Sequence, residues 1–172
     1  MKQLILKLVA AFLCLSLLTG NALASTASDI ESIIAYAQSQ GLLQSAGNLQ
    51  DWYAIALGQY NPNMDFSAYR NAAESLVQRW YAEDISRVKL TDRQRLSMAL
   101  LAAGGDPTHV GGHALLADCT YRASIEEMRR QGIISCIFAL LALDMGQYPI
   151  PSGNLSREQL VEELLSLQLA DG

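Results

Sequence analysis

Residues 96–107 read LSMALLAAGGDP, an alanine- and leucine-rich run that stops at two glycines and a proline. Two other stretches say nearly the same thing, WYAIALGQYNP at 52–62 and IFALLALDMGQYP at 137–149. With Ala56, Ala99 and Ala139 taken as equivalent positions, the period is about 40 to 43 residues, the length of a two-helix repeat. A hairpin of that size cannot bury its apolar face alone, so successive hairpins must stack on one another. The expected fold is therefore all-α, built from helical-hairpin repeats.

The punctuation around these runs is helical throughout. SDIE at Ser28 to Glu31, TDRQ at Thr91 to Gln94, SIEE at Ser124 to Glu127 and SREQ at Ser156 to Gln159 all fit the capping box. In that motif the hydroxyl accepts the third backbone N–H and the Glu or Gln side chain reaches back. Asp51 and Asp65 are placed to cap helices beginning near Trp52 and Phe66. Gly41, Gly58 with Pro62, Gly104 and Gly105 with Pro107, and Gly146 with Pro149 and Pro151 supply the stops. These signals predict helices over 29–40, 49–60, 66–82, 92–103, 113–120, 125–145 with a break near Gln131 and Gly132, and 157–169; no strand is predicted.

Two kinds of helix alternate. Tyr69, Ala72, Ala73, Leu76, Val77 and Trp80 form one stripe, as do Leu160, Val161, Leu164, Leu165 and Leu167, leaving Arg70, Glu74 and Glu162 for water. Leu96 to Ala103 and Ile133 to Leu143 are apolar nearly all round and should be covered on both sides. The pattern predicts an inner apolar set and an outer amphipathic set of helices.

The N-terminus carries Lys2 and Lys7, then the apolar run Leu8 to Leu18, then small residues up to Ala22-Leu23-Ala24, the three zones of a secretory signal peptide cleaved after Ala24. The apolar run is too short for a transmembrane helix, so secretion or display at the cell surface is expected, with no stable membrane anchor. Leu13 before Cys14 argues against lipidation, which calls for a small residue there. Removing the leader changes the formal charge from −5 to about −7, which disfavours nucleic acid and anionic membranes as partners. Cys119 and Cys136 remain; an exported pair can form a disulfide, while Cys136 within its apolar run reads as a buried thiol.

The closing segment SLQLADG, residues 166–172, looks like the opening of the Gln-x-x-Asp-Gly-x-Trp motif of squalene-cyclase and prenyltransferase repeats. Asp51 to Gly172 as a whole resembles exported bacterial proteins of that class, most clearly in DWYAIALGQY, LLAAGGDPTHVGG, LLADCTY and RQGIISCIFALLALDMGQYPIP. The resemblance implies an α/α toroid domain over residues 25–172, of which this chain would be about half a ring, truncated at its C-terminus. Either a homodimer or a missing C-terminal half would then complete it. It also implies a choice among functions. One is a secreted, non-catalytic module that binds an apolar small molecule or a surface protein; the alternatives are a fragment of a terpenoid-cyclase-like enzyme and a cobalamin-capturing toroid.

The chemistry-bearing motifs of that class are missing from the sequence. No Asp-x-Asp-Asp acid for alkene protonation occurs, and Glu83-Asp84 is a polar loop. Aromatic residues make up only 7%, few for a cavity that stabilises carbocations. Asp106, His109, His113, Asp118 and Cys119 crowd one region, but Gly111 and Gly112 interrupt the spacing and favour turn residues over a metal site. No cofactor or metal is expected. Arg93 and Arg95, with Arg129 and Arg130, read as surface pairs, and Trp52 and Trp80 read as core. Ligand contacts are expected on the loop rim at 105–113 and 146–153, with Asp106, His109, Asp118 and Tyr121 as the candidate binding residues.

Overall fold

The computed structural model describes residues 28–169, so the leader over 1–24 and the closing Ala170 to Gly172 lie outside the described residues. The chain divides after Gln40 into two compact units. The first contributes helix α1 over residues 28–39. The second contains α2 (Asn48–Tyr60), α3 (Ser67–Glu83), α4 (Leu90–Ala102), α5 (Leu115–Cys119), α6 (Ile125–Arg130), α7 (Ile133–Met145) and α8 (Arg157–Ser166). Single 3-10 turns at Leu42–Gln44 and Ile85–Arg87 precede α2 and α4. Among the described residues there is no strand, only an isolated bridge between Val110 and His113. The fold is all-helical, as the sequence predicts.

Two capping boxes form as read. Ser124 accepts from the Glu127 amide while the Glu127 carboxylate accepts from the Ser124 amide, and Ser156 and Gln159 do the same at α8. The predicted break falls between α6 and α7, where Gly132 adopts φ 71°, a left-handed value that a side chain would strain. Thr91 does not cap α4; the helix opens two residues earlier, with Lys89 as N-cap, and Thr91 lies inside it. Asp51 is not an N-cap either. It sits in the first turn of α2 and reaches back to the Gly47 amide at 2.7 Å.

The three alanine-leucine runs become α2, α4 and α7. Helix α4 packs between α2 on one side and α7 with α5 on the other. Leu96, Met98, Ala99 and Leu100 are consequently buried all round the helix. Helix α7 departs from the same expectation. Ser135, Cys136, Ala139, Ala142 and Leu143 are buried, but Ile133, Ile134, Leu141 and Met145 are exposed because α4 and α8 cover only part of its circumference. Helix α8 likewise commits only Leu160 fully and Leu164 partly to the core, whereas Val161, Leu165 and Leu167 of the predicted stripe face solvent.

Leu160 joins Leu90, Cys119, Met128, Cys136, Ala139 and Leu143 in the main core cluster. Both cysteines are free thiols there. Helices α6 and α8 are tied by Arg129, whose Nε and Nη2 donate to the two Glu163 oxygens at 2.9 and 2.8 Å. The guanidinium bonds, more than its charge, hold the Glu163 carboxyl below the ordinary value of 4.5. A lowered folded value means stability that is complete above the unfolded value and is lost as pH falls through the folded one. Glu163→Gln is therefore expected to lower the melting temperature at pH 7. Its deficit against the parent should shrink steadily below about pH 4.5, and a pH-independent deficit would show that packing and not charge is at stake.

Candidate functional site

The four residues picked out from the sequence are distributed over separate features. Asp106 and His109 line a shallow cavity of about 310 Å³ between the 105–112 loop and Arg70 and Glu74 of α3. The Asp106 carboxylate accepts from the Thr108 amide at 2.9 Å and hydroxyl at 2.6 Å, the geometry of a turn. Asp118 belongs to a different group. One of its oxygens accepts from the Tyr81 hydroxyl at 2.6 Å and the other from Arg122 at 3.0 Å. Tyr121 lies on a third feature, an open cavity of about 790 Å³ bounded by Ile125, Arg129, Leu155 and Glu163. The structure thus brings Asp106 and His109 together and leaves Asp118 and Tyr121 apart from them.

Tyr81 is the residue that the sequence reading passed over. It ends the buried side of α3, and its ring stacks on His113 with centroids 3.8 Å apart and planes 8° from parallel. Burial, then the hydrogen bond to Asp118, pushes its hydroxyl far above the ordinary tyrosine value, so it serves as a donor and not as a base. Cys119, next to Asp118, is wholly buried and its thiol is pushed up to about 12 by that burial. A thiol so held is protonated and a poor nucleophile. Among the described residues no three His, Cys, Asp or Glu side chains gather closely enough to hold a metal ion.

Of the arginines read as surface pairs, Arg129 and Arg130 are exposed, whereas Arg93 and Arg95 are largely enclosed. Arg95 donates to Asp51, whose side chain has no exposure, and Arg129 meets the nearly buried Glu163. Arg93 is itself only 7% exposed. The reason is that α4 is enclosed by neighbours, which the polarity of its first turn does not reveal.

Large apolar side chains are exposed on both α2 and α7. At about 100° per residue, Leu49, Trp52, Ala56 and Tyr60 share one side of α2, and all are exposed. Ile133, Ile137, Leu141, Ile134 and Met145 share an arc of about 120° on α7, interrupted only by Asp144. Trp52, expected in the core, is 46% exposed. It meets Phe138 edge to face, with centroids 5.8 Å apart, so that α2 and α7 touch across α4, where Met98 and Ile55 join the same cluster. Trp80 is half-buried at the end of α3. The class of protein that these observations define is an all-helical one with apolar side chains exposed on α2 and α7. Comparison with protein-family models, with curated proteins and with solved structures finds no match to this chain.

Proposed function

We propose that this chain is an exported, non-catalytic helical-repeat module of the squalene-cyclase and prenyltransferase-like class, which binds an apolar protein surface through the face of α2 and α7. The observation that carries the reading is the exposure of Leu49, Trp52, Tyr60, Ile133, Ile134, Leu141 and Met145 on two helices joined by the Trp52–Phe138 contact. Monomeric proteins rarely leave so much contiguous apolar surface open to water. The leader read at residues 1–24 supports export, and the shared period of α2, α4 and α7 supports the hairpin-repeat class.

A protein partner fits this face better than a small molecule. Small-molecule sites are concave and enclose most of their ligand. The cavities at Asp106 and at Tyr121 are lined by none of the residues of this face. The seven exposed side chains offer on the order of 600 Å² of apolar surface, close to the roughly 800 Å² per partner of a standard interface. A second copy of the chain is the partner that fits at once: its α7 would cover the arc of α7 that α4 and α8 leave open.

Sedimentation velocity of the exported chain is expected to show a dimer, and Ile134→Glu with Leu141→Glu to return it to a monomer with unchanged helical content. A monomer at all concentrations that instead binds the neutral apolar dye Nile red, with quenching of Trp52, would replace the protein partner by a small molecule. A monomer that takes up no dye would overturn the reading altogether.

A further inference from the structure

Between the turn leading into α4 and the end of α6 lies a cavity of about 390 Å³ lined by Arg87, Lys89, Arg93 and Arg130, with Glu127 as its one carboxylate. Four cations at one place stand out in a chain whose net charge is −5. Glu127 is already committed, since it accepts from the Ser124 amide at 2.9 Å. Arg87 lies 3.6 Å from Asp84 in an exposed pair. Among the described residues, no carboxylate lies within ion-pair distance of Lys89, Arg93 or Arg130.

Arg93 is the decisive side chain. It is 93% buried by its 7% exposure, and its Nε is enclosed without a hydrogen-bond partner. A guanidinium cannot shed its charge, and burying one without a counter-charge is strongly unfavourable. Its neighbours Tyr81 and Cys119 are both held neutral by burial, and Asp118 beyond them already accepts from Tyr81 and Arg122. A second feature points the same way. The 13-residue α4 begins here with no side-chain cap, and its Leu90 and Thr91 amides have no backbone acceptor among the described residues. Free amides at a helix N-terminus and the positive end of its dipole favour an anion.

We infer that this cavity binds a phosphoryl or sulfuryl dianion. Arg93 offers its forked donors from the buried side, the first amides of α4 face the oxygens, and Lys89 and Arg130 close over them from the exposed rim. Two or more uncompensated positive charges match a dianion better than a single carboxylate. The group could arrive on a soluble phosphorylated molecule or as the phosphomonoester headgroup of a lipid, which offers the same dianion. This inference is independent of the apolar face, with which the cavity shares no residue.

Calorimetric titration of the full chain at low ionic strength with inorganic phosphate and with pyrophosphate tests it. Flotation with vesicles of phosphatidylcholine, with and without phosphatidic acid, accompanies the titration. We expect saturable one-to-one binding that weakens by about tenfold or more in Lys89→Ala and in Arg130→Ala. Arg93→Met should abolish binding while raising the melting temperature, because it removes an unmet buried charge; a purely structural arginine would lower it. Binding of the soluble probes alone assigns the site to a phosphorylated solute, and flotation that requires phosphatidic acid and fails in the same variants assigns it to a headgroup. Absence of binding to every probe, or binding that Lys89→Ala and Arg130→Ala leave unchanged, would overturn the proposal. Those two rim variants decide the matter even if Arg93→Met fails to fold.

Discussion

Gly58→Ala is expected to destabilise the protein by about 3 kcal/mol or more, although the same exchange in an ordinary helix interior gains close to 1 kcal/mol. The sign reverses because α2 crosses α4 at this residue. A β-carbon added to Gly58 would stand 2.1 Å from the carbonyl oxygen of Ala102 and 2.6 Å from its carbonyl carbon. Those are backbone atoms of a buried helix, so no rotamer change relieves the clash; α2 must move bodily. In doing so it would loosen Ala54 and Leu57, which are buried in the same interface. For a domain of this size the loss corresponds to a fall of roughly 10 °C in melting temperature. Ala56→Gly, two residues away on the exposed side, supplies the comparison and should cost only about 1 kcal/mol through helix propensity. A Gly58→Ala variant as stable as its parent would mean that the helices do not approach there.

Gly58 also shows what the sequence conveys and what it withholds. The glycine reads as a helix stop, yet it lies within α2, which runs on to Tyr60. Its purpose is a close approach to a partner 44 positions away, and nothing local announces that. Several signals whose meaning is complete within a few residues survive intact, among them the capping boxes at Ser124 and Ser156, the break at Gly132 and the core stripe of Tyr69, Ala73 and Val77, although the box at Thr91 does not. Readings that depend on which helix lies opposite do not. Arg93 and Arg95 occupy a polar first turn that resembles a solvated surface, and only the packing of α4 among α2, α5 and α7 buries them. Trp52 resembles core for the opposite reason, since an apolar helical spacing says nothing of whether a neighbour exists to cover it. The candidate site divides in the same way. Asp106 and His109 share a cavity because they are three residues apart, whereas the Tyr81–Asp118 bond joins α3 to α5 across 37 positions.

Asp51→Ala should be the most damaging single substitution of a polar residue, with an expected loss of about 3–5 kcal/mol. The carboxylate is wholly buried and accepts three hydrogen bonds from three different parts of the fold. Oδ1 takes the Gly47 amide at 2.7 Å and the Tyr69 hydroxyl of α3 at 2.7 Å, and Oδ2 takes Arg95 Nε of α4 at 3.0 Å. Burial and the adjacent Asp51 charge push the Tyr69 hydroxyl well above the ordinary tyrosine value, so it remains a donor at any pH the fold survives. Truncation to alanine strands all three donors, one of them a guanidinium whose side chain is only 12% exposed and whose other partner is Asp92 at 2.8 Å. Removing only one of the three bonds should cost far less. Tyr69→Phe deletes one donor together with its need for a partner and should lose about 1 kcal/mol.

The pairwise logic yields a sharper expectation. Asp51→Leu combined with Arg95→Met removes both charges and fills the volume with apolar atoms, so it should recover much of what Asp51→Ala loses. Urea unfolding of the three variants ranks them. Recovery in the double variant identifies the Asp51–Arg95 pair as a device that fixes how α2, α3 and α4 meet, without being the main source of their stability. A double variant no better than Asp51→Ala would instead locate the cost in the Gly47 amide and the start of α2, where the carboxylate substitutes for the cap that Gly47 lacks.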